Sequence, residues 1–309
     1  MTDYIIPATR FADPTVDFAF KRIFGTEAYK QNTVNLLNDL IPGIGIVDVN
    51  FINTELQGET SDSRKSVIDV CCEDTSGKQF IIEMQNASQE YFRERTLFYA
   101  SKFISLLGKP GNWDYRLPPV YVVSFLDFPL DNLHLADRNG RYLLHYTLQD
   151  IETHEKMGGG TEFIFLGLRD FTKSEKKLAN NLEKWLFLLQ NSSSLKEIPE
   201  TFRGDGQFSH FFAACERAGF SKAEEIKYVK DMMTKNDIEN SKREACERAM
   251  AEGMAKGKAE GKAEGVAEGK AKGAAEKSRE VAKKMKQLGV DIATVAQGTG
   301  LSVSEVEAL

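Results

Sequence analysis

Over its 309 residues the chain has no run near the roughly eighteen consecutive apolar positions that a membrane-spanning helix requires. The longest apolar stretch, Val120–Leu126, is the size of a strand, so no membrane association is expected. The first ten residues hold neither a basic leader nor a long apolar segment, and the chain is assigned to the cytoplasm. Cysteine is scarce, with four residues and no C-x-x-C pair, which argues against a zinc site and a disulfide framework. The four histidines, His134, His145, His154 and His210, show no metal-binding or triad spacing. Three glycines at 158–160 are not followed by the Lys and Ser or Thr of a phosphate-binding loop. Cations are not in excess: 40 Lys and Arg stand against 46 Asp and Glu, a net charge of −6. That balance does not advertise a nucleic-acid-binding surface, although a nuclease cleft is itself rich in carboxylates.

What is present suits a globular protein of one or two domains, with 41 % apolar and 28 % charged residues. Residues 14–40 read as helix, opened by Asp13-Pro14-Thr15, interrupted at Gly25 and closed by Pro42-Gly43. Strand signals follow at 46–56, 65–73 and 79–86, the last two joined by a turn over 74–77. Residues 88–107 read as a helix, with Phe92, Leu97, Tyr99, Phe103, Ile104 and Leu107 available for burial, stopped at Lys109-Pro110-Gly111. Val120–Leu126 is nearly all apolar, as a strand covered on both faces should be. The order α-β-β-β-α-β predicts an α/β sandwich. Further strands are expected near 142–148 and 161–166, and helices over 173–190 and 208–240.

The C-terminal part has a different character. Gly253, Gly257, Gly261, Gly265, Gly269 and Gly273 recur every fourth residue, with Ala two positions before each. A four-residue step turns a helix by about 400°, so the glycines wind slowly around it and do not form a stripe. Each costs roughly 0.8–1 kcal/mol relative to Ala, while Ala, Glu and Lys favour helix, so the segment reads as an extended helix or a spacer. Residues 278–288 form an amphipathic helix with Val281, Met285 and Leu288 apolar, and two capped helices then meet at 298–300. That pair resembles a helix-turn-helix, but its second helix carries Glu305 and Glu307 and no base, which favours docking or self-association over DNA reading.

Asp69 lies between Ile68 and Val70 in the second strand, and Glu83 and Gln85 share one face of the third. One register of the hairpin brings Asp69 near Glu83. Two carboxylates with an amide beside them suit a hard divalent ion, and burying them without one is costly. Arg95, Tyr99 and Lys102 fall on one face of the following helix, where they can meet phosphates and sugars. Asp17 and Lys21 stand four apart and equally suit a surface salt bridge, as Arg95 and Tyr99 equally suit packing.

Asp69, then Glu83-Met84-Gln85 on the next strand within this element order, resembles the PD-(D/E)XK nuclease core with Gln85 in place of its lysine. This departure resembles one branch, the Rpn family of recombination-promoting nucleases, also described as transposases. Its blocks are Asp17-Phe-Ala-Phe-Lys-Arg-Ile-Phe-Gly25, Lys65-Ser-Val-Ile-Asp-Val70, Ile82-Glu-Met-Gln85 and Arg95-Thr-Leu-Phe-Tyr99, and the likeness covers roughly residues 12–130. The resemblance implies a Mg2+-dependent DNA endonuclease linked to recombination, mobile elements or defence. Asp69, Glu83 and Gln85 would be catalytic. Asp69, Glu83 and Asp17 would hold Mg2+. Lys21, Arg95, Tyr99 and Lys102 would bind substrate, with Lys21 or Lys102 supplying the cation that Gln85 cannot. The chain then divides into a nuclease-like domain at 1–170, a helical extension at 171–240, the repeat at 241–280 and a helical hairpin at 281–309, with DNA as partner and a homodimer formed through the C-terminal helices. The alternative is a catalytically spent core that serves as a nucleic-acid-binding or protein-interaction scaffold.

Overall fold

Gly25 divides the first helical stretch in two. A computed structural model describes residues 9–52, 55–56, 66–88, 90–109, 111–130 and 141–309. In it α1 (Asp17–Phe24) ends at Gly25, a single 3-10 turn follows, and α2 (Lys30–Leu40) resumes. The Asp13 carboxylate accepts from Thr15 N and Oγ1 at 2.9 and 2.7 Å, so it caps the turn before α1 rather than the helix itself. Phe20, Ile23 and Phe24 of α1 and Leu36, Leu37 and Leu40 of α2 are buried, as their spacing requires.

The strands are shorter than their sequence signals. The stretch at 46–56 yields β1 (Val49–Phe51) and β2 (Glu55–Leu56), and the stretch at 65–73 yields β3 (Ser66–Val67) and β4 (Val70–Asp74). Residues 53–54 and 65 lie outside the described residues. β2 and β3 form a small antiparallel pair of their own. β4 turns at residues 74–77 into β5 (Gln79–Gln85). Gly77 there takes φ 87°, and the Asp74 carboxylate accepts from Ser76 N and Lys78 N, both at 2.9 Å. The helix read over 88–107 starts later, as α3 (Phe92–Leu106), because Tyr91 is left-handed at φ 60°. Phe92 and Phe103 are buried, whereas Leu97 is 51 % exposed. α3 crosses over to β6 (Val120–Leu126), every residue of which is buried. β7 (Leu143–Thr147) and β8 (Thr161–Gly167) complete the sheet near their expected positions.

Among the described residues the main sheet has six strands in the order β1-β4-β5-β6-β8-β7, with β5, β6 and β8 parallel and the others antiparallel to their neighbours. This is the expected α-β-β-β-α-β sandwich. Phe80, Ile82 and Met84 of β5 pack toward one layer with Phe20 and Phe24. Ile81 packs toward the other with Phe92 and Phe103 of α3. The segment 171–240 adds short 3-10 turns, α4 (Asn181–Asn191), α5 (Gly206–Cys215) and the start of α6 (Lys222–Gln287). Trp185 of α4 and Phe208 and Phe211 of α5 join the same core as α1 and the sheet, and Trp185 Nε1 donates to Asp39 at 2.8 Å.

Contacts divide the chain into two units, Met1–Ile238 and Glu239–Leu309, and α6 runs through the boundary. The glycine repeat is helical, with exposed pairs such as Lys272 and Glu268 at 3.1 Å along it. In the second unit the end of α6 packs with α7 (Ile292–Thr299) and α8 (Val303–Glu307) around Ala282, Val295 and Val306. Of the apolar residues read on the amphipathic helix over 278–288, Met285 packs against that core, whereas Val281 and Leu288 are 42 % and 81 % exposed. Asp291 caps α7, Gly300 closes it at φ 76°, and Ser302 with Glu305 forms a capping box on α8. No helix among the described residues is long and apolar enough to cross a membrane.

Candidate active site

The hairpin of β4 and β5 does not run to the end of β5. Its last pair is Val70 with Ile82, and before Val70 the chain bends at Asp69, which is therefore not mid-strand as the sequence pattern suggested. By continuation of the register, the Met84 N–H would face the backbone of Ile68. The Asp69 carboxylate takes that bond instead, accepting from Met84 N through Oδ2 at 2.9 Å. A side chain thus replaces one rung of the ladder, and this keeps Asp69 beside Glu83 where the backbone has turned away.

Gly25 makes the bend accessible from α1. A Cβ there would meet Lys21 O at 2.9 Å and Val70 Cγ2 at 3.1 Å, so only glycine lets the end of α1 lie this close to β4. From α1, Lys21 Nζ reaches Asp69 Oδ1 at 3.6 Å and Asp17 Oδ1 at 2.7 Å. Burial works against the Lys21 ammonium, but its bond to Asp17 and the charges of Asp17 and Asp69 outweigh it and hold its pKa above the ordinary lysine value.

Glu83 is held from the other side. Gln85 Nε2 donates to Glu83 Oε2 at 3.0 Å, and Arg95 of α3 donates to Gln85 Oε1 at 2.9 Å. These two bonds fix the orientation of the Gln85 amide. The Arg95 guanidinium lies 5.6 Å from the centre of the Tyr99 ring. Burial, and then the charge of Asp69, push the Glu83 carboxyl up from 4.5 to about 7, against Arg95 and Gln85. Burial also raises Asp69, against the Met84 N–H and Lys21. Burial is the first cause for both acids, so they share one poorly solvated place.

The structure brings together Asp69, Glu83, Gln85, Lys21 and Arg95, with Tyr99 against Arg95. It does not bring in Lys102, which makes no ion pair with a described residue and lies at the third turn of α3. Asp17 is held by Lys21, and among the described residues no three carboxylate, histidine or cysteine groups converge as metal ligands. The donor set still fits a hard divalent cation. Gln85 takes Oε2 of Glu83 and Met84 N takes Oδ2 of Asp69, which leaves Glu83 Oε1 and, shared with Lys21 at 3.6 Å, Asp69 Oδ1 for a ligand, and a cation would offset the burial that raises both acids. Sequence reasoning weighed Arg95 as a substrate contact or as packing, and did not single out its bond to Gln85. It also missed Ser124, which pairs with Glu83 in the parallel ladder of β5 and β6; a hydroxyl in an otherwise apolar stretch was the available signal.

A cavity of about 580 Å3 lies beyond the ends of β6 and β8, lined in part by Asp13, Thr15, Asp127, Arg169 and Lys235. Its charges are matched within the protein, with Lys235 on Asp13 at 2.9 Å and Arg169 on Asp127 at 2.6 Å. Neither Asp69 nor Glu83 lines it.

A family model described as PD-(D/E)XK nuclease family transposase matches residues 14–245, in agreement with the likeness carried by the four sequence blocks. The chain belongs to that family. None of the curated proteins and none of the solved structures compared with it gave a match.

Proposed function

We propose that the chain is a Mg2+-dependent DNA endonuclease with its centre at the bend before β4, where Asp69 lies beside Glu83 of β5. The observation that carries the reading is the meeting of Asp69 and Glu83 at a place where burial raises both acids. Asp69 and Glu83 would hold the divalent ion, which activates water and screens charge on a phosphodiester. Gln85 keeps the Glu83 carboxylate in one orientation, and Arg95 keeps Gln85 in place. Lys21 supplies the cation that the family pattern has at position 85, reaching Asp69 from α1. Its ammonium stays protonated and offers a charged donor to a phosphate oxygen. Tyr99, stacked on Arg95, offers a surface for sugar or base beside it.

The test is nicking of supercoiled plasmid with Mg2+ and with EDTA, wild type against the Asp69→Ala/Glu83→Ala double variant. Nicking that needs the metal and disappears in the variant is the expected result. Intact DNA binding with no nicking by wild type in Mg2+ or Mn2+ would overturn the reading and favour the spent scaffold, for which the locked Gln85 amide is the observation in hand.

A further inference from the structure

Ser124 sits in β6 with its side chain fully buried, and its Oγ has no hydrogen-bond partner among the described residues. A desolvated hydroxyl without a partner is costly, and alanine at this position would avoid the cost. The residue is directly paired with Glu83 in the parallel ladder, so the two side chains stand next to each other on one face of the sheet. Apart from Glu83 and Gln85, the neighbours on that face are apolar: Ile81, Val122 and Leu126 pack there with Phe92 and Phe103 of α3. Glu83 is held at Oε2 by Gln85 alone. An ionised carboxylate accepts about four hydrogen bonds, so room for a second donor remains.

We propose that Ser124 is a positioning residue, whose hydroxyl donates to the Glu83 carboxylate and so sets its orientation toward a divalent cation. Gln85 and Ser124 would then grip the carboxylate from the strand's own face, and the unpaired hydroxyl of the metal-free protein is the cost of that readiness. The inference rests on the metal-dependent reading above and deepens it. Groups that orient a ligand in this way typically affect metal affinity by about 10–100-fold.

The test uses the full chain with Ser124→Ala and Ser124→Thr, and two readouts. Thermal unfolding is followed in EDTA, and Mn2+ binding is followed by titration calorimetry. For Ser124→Ala we expect a midpoint about 2–4 °C above wild type, since an unpaired polar group is removed. We expect its Mn2+ affinity to fall on the order of tenfold. Ser124→Thr keeps the hydroxyl and should keep the affinity, even where its extra methyl lowers the midpoint. Unchanged Mn2+ affinity in Ser124→Ala overturns the proposal, as does an equal loss in Ser124→Ala and Ser124→Thr, which would make the effect one of packing. Absence of Mn2+ binding by wild type removes the metal-dependent reading itself, and this proposal with it, which distinguishes the two failures.

Discussion

Glu83→Gln should make the metal-free protein more stable at neutral and alkaline pH. The carboxyl titrates at 4.5 in an ordinary setting and at about 7 in the fold, so the folded state keeps a proton that the unfolded chain has already released. Raising the pH through this window favours the unfolded state. The Glu83 contribution to stability is therefore greatest below pH 4.5, falls between 4.5 and 7, and stays reduced above that. The span corresponds to about 3 kcal/mol at 1.36 kcal/mol per tenfold change in proton affinity. Glutamine has the shape of the protonated acid and carries no charge, so it removes the loss. For a unit of this size about 3 kcal/mol is about 6–12 °C in midpoint. The assay is calorimetric unfolding in EDTA from pH 4.5 to 8.5. The wild type should lose midpoint across the window, and the variant's advantage should be small near pH 4.5 and full by pH 8. Saturating Mg2+ should restore the wild type at pH 8 and leave the variant where it is. Parallel pH curves for the two proteins would refute the argument, since Glu83 would then titrate alike folded and unfolded.

Lys21→Ala should slow plasmid nicking on the order of 10²-fold, because it removes the charged donor that reaches Asp69, while Lys102→Ala should leave the rate near wild type. Equal effects of the two substitutions in a nicking time course would contradict the assignment of Lys21. Gly25→Ala places a methyl 2.9 Å from Lys21 O and 3.1 Å from Val70 Cγ2. Urea unfolding should show it destabilised by about 1–3 kcal/mol with an unchanged m-value.

Much of the architecture was legible because it rests on local patterns. The apolar spacing of Phe20, Ile23 and Phe24, the strand signals at 65–73 and 79–86, the turn at residues 74–77 and the apolar run Val120–Leu126 each specify an element by themselves. Their order specifies the sandwich, and the same residues carry the family likeness. The capped helices at the C-terminal end were equally plain, since Asp291, Gly300, Ser302 and Glu305 act on their immediate neighbours.

The site itself was decided elsewhere. Sequence reasoning treated 65–73 as one strand and could not see that the Asp69 side chain would displace a backbone rung. It left Lys21 and Lys102 as equal candidates, because each lies at a suitable place on its own helix. The choice between them follows from how closely α1 approaches β4 at Gly25, a contact between layers. Arg95 turned from substrate to Gln85 for a similar reason: the facing of α3 on β5 depends on how Phe92 and Phe103 settle against Ile81. Periodicity fixes which residues share a face, whereas distances between faces, and the desolvation that moves Glu83 to about 7, exist only once the layers have packed.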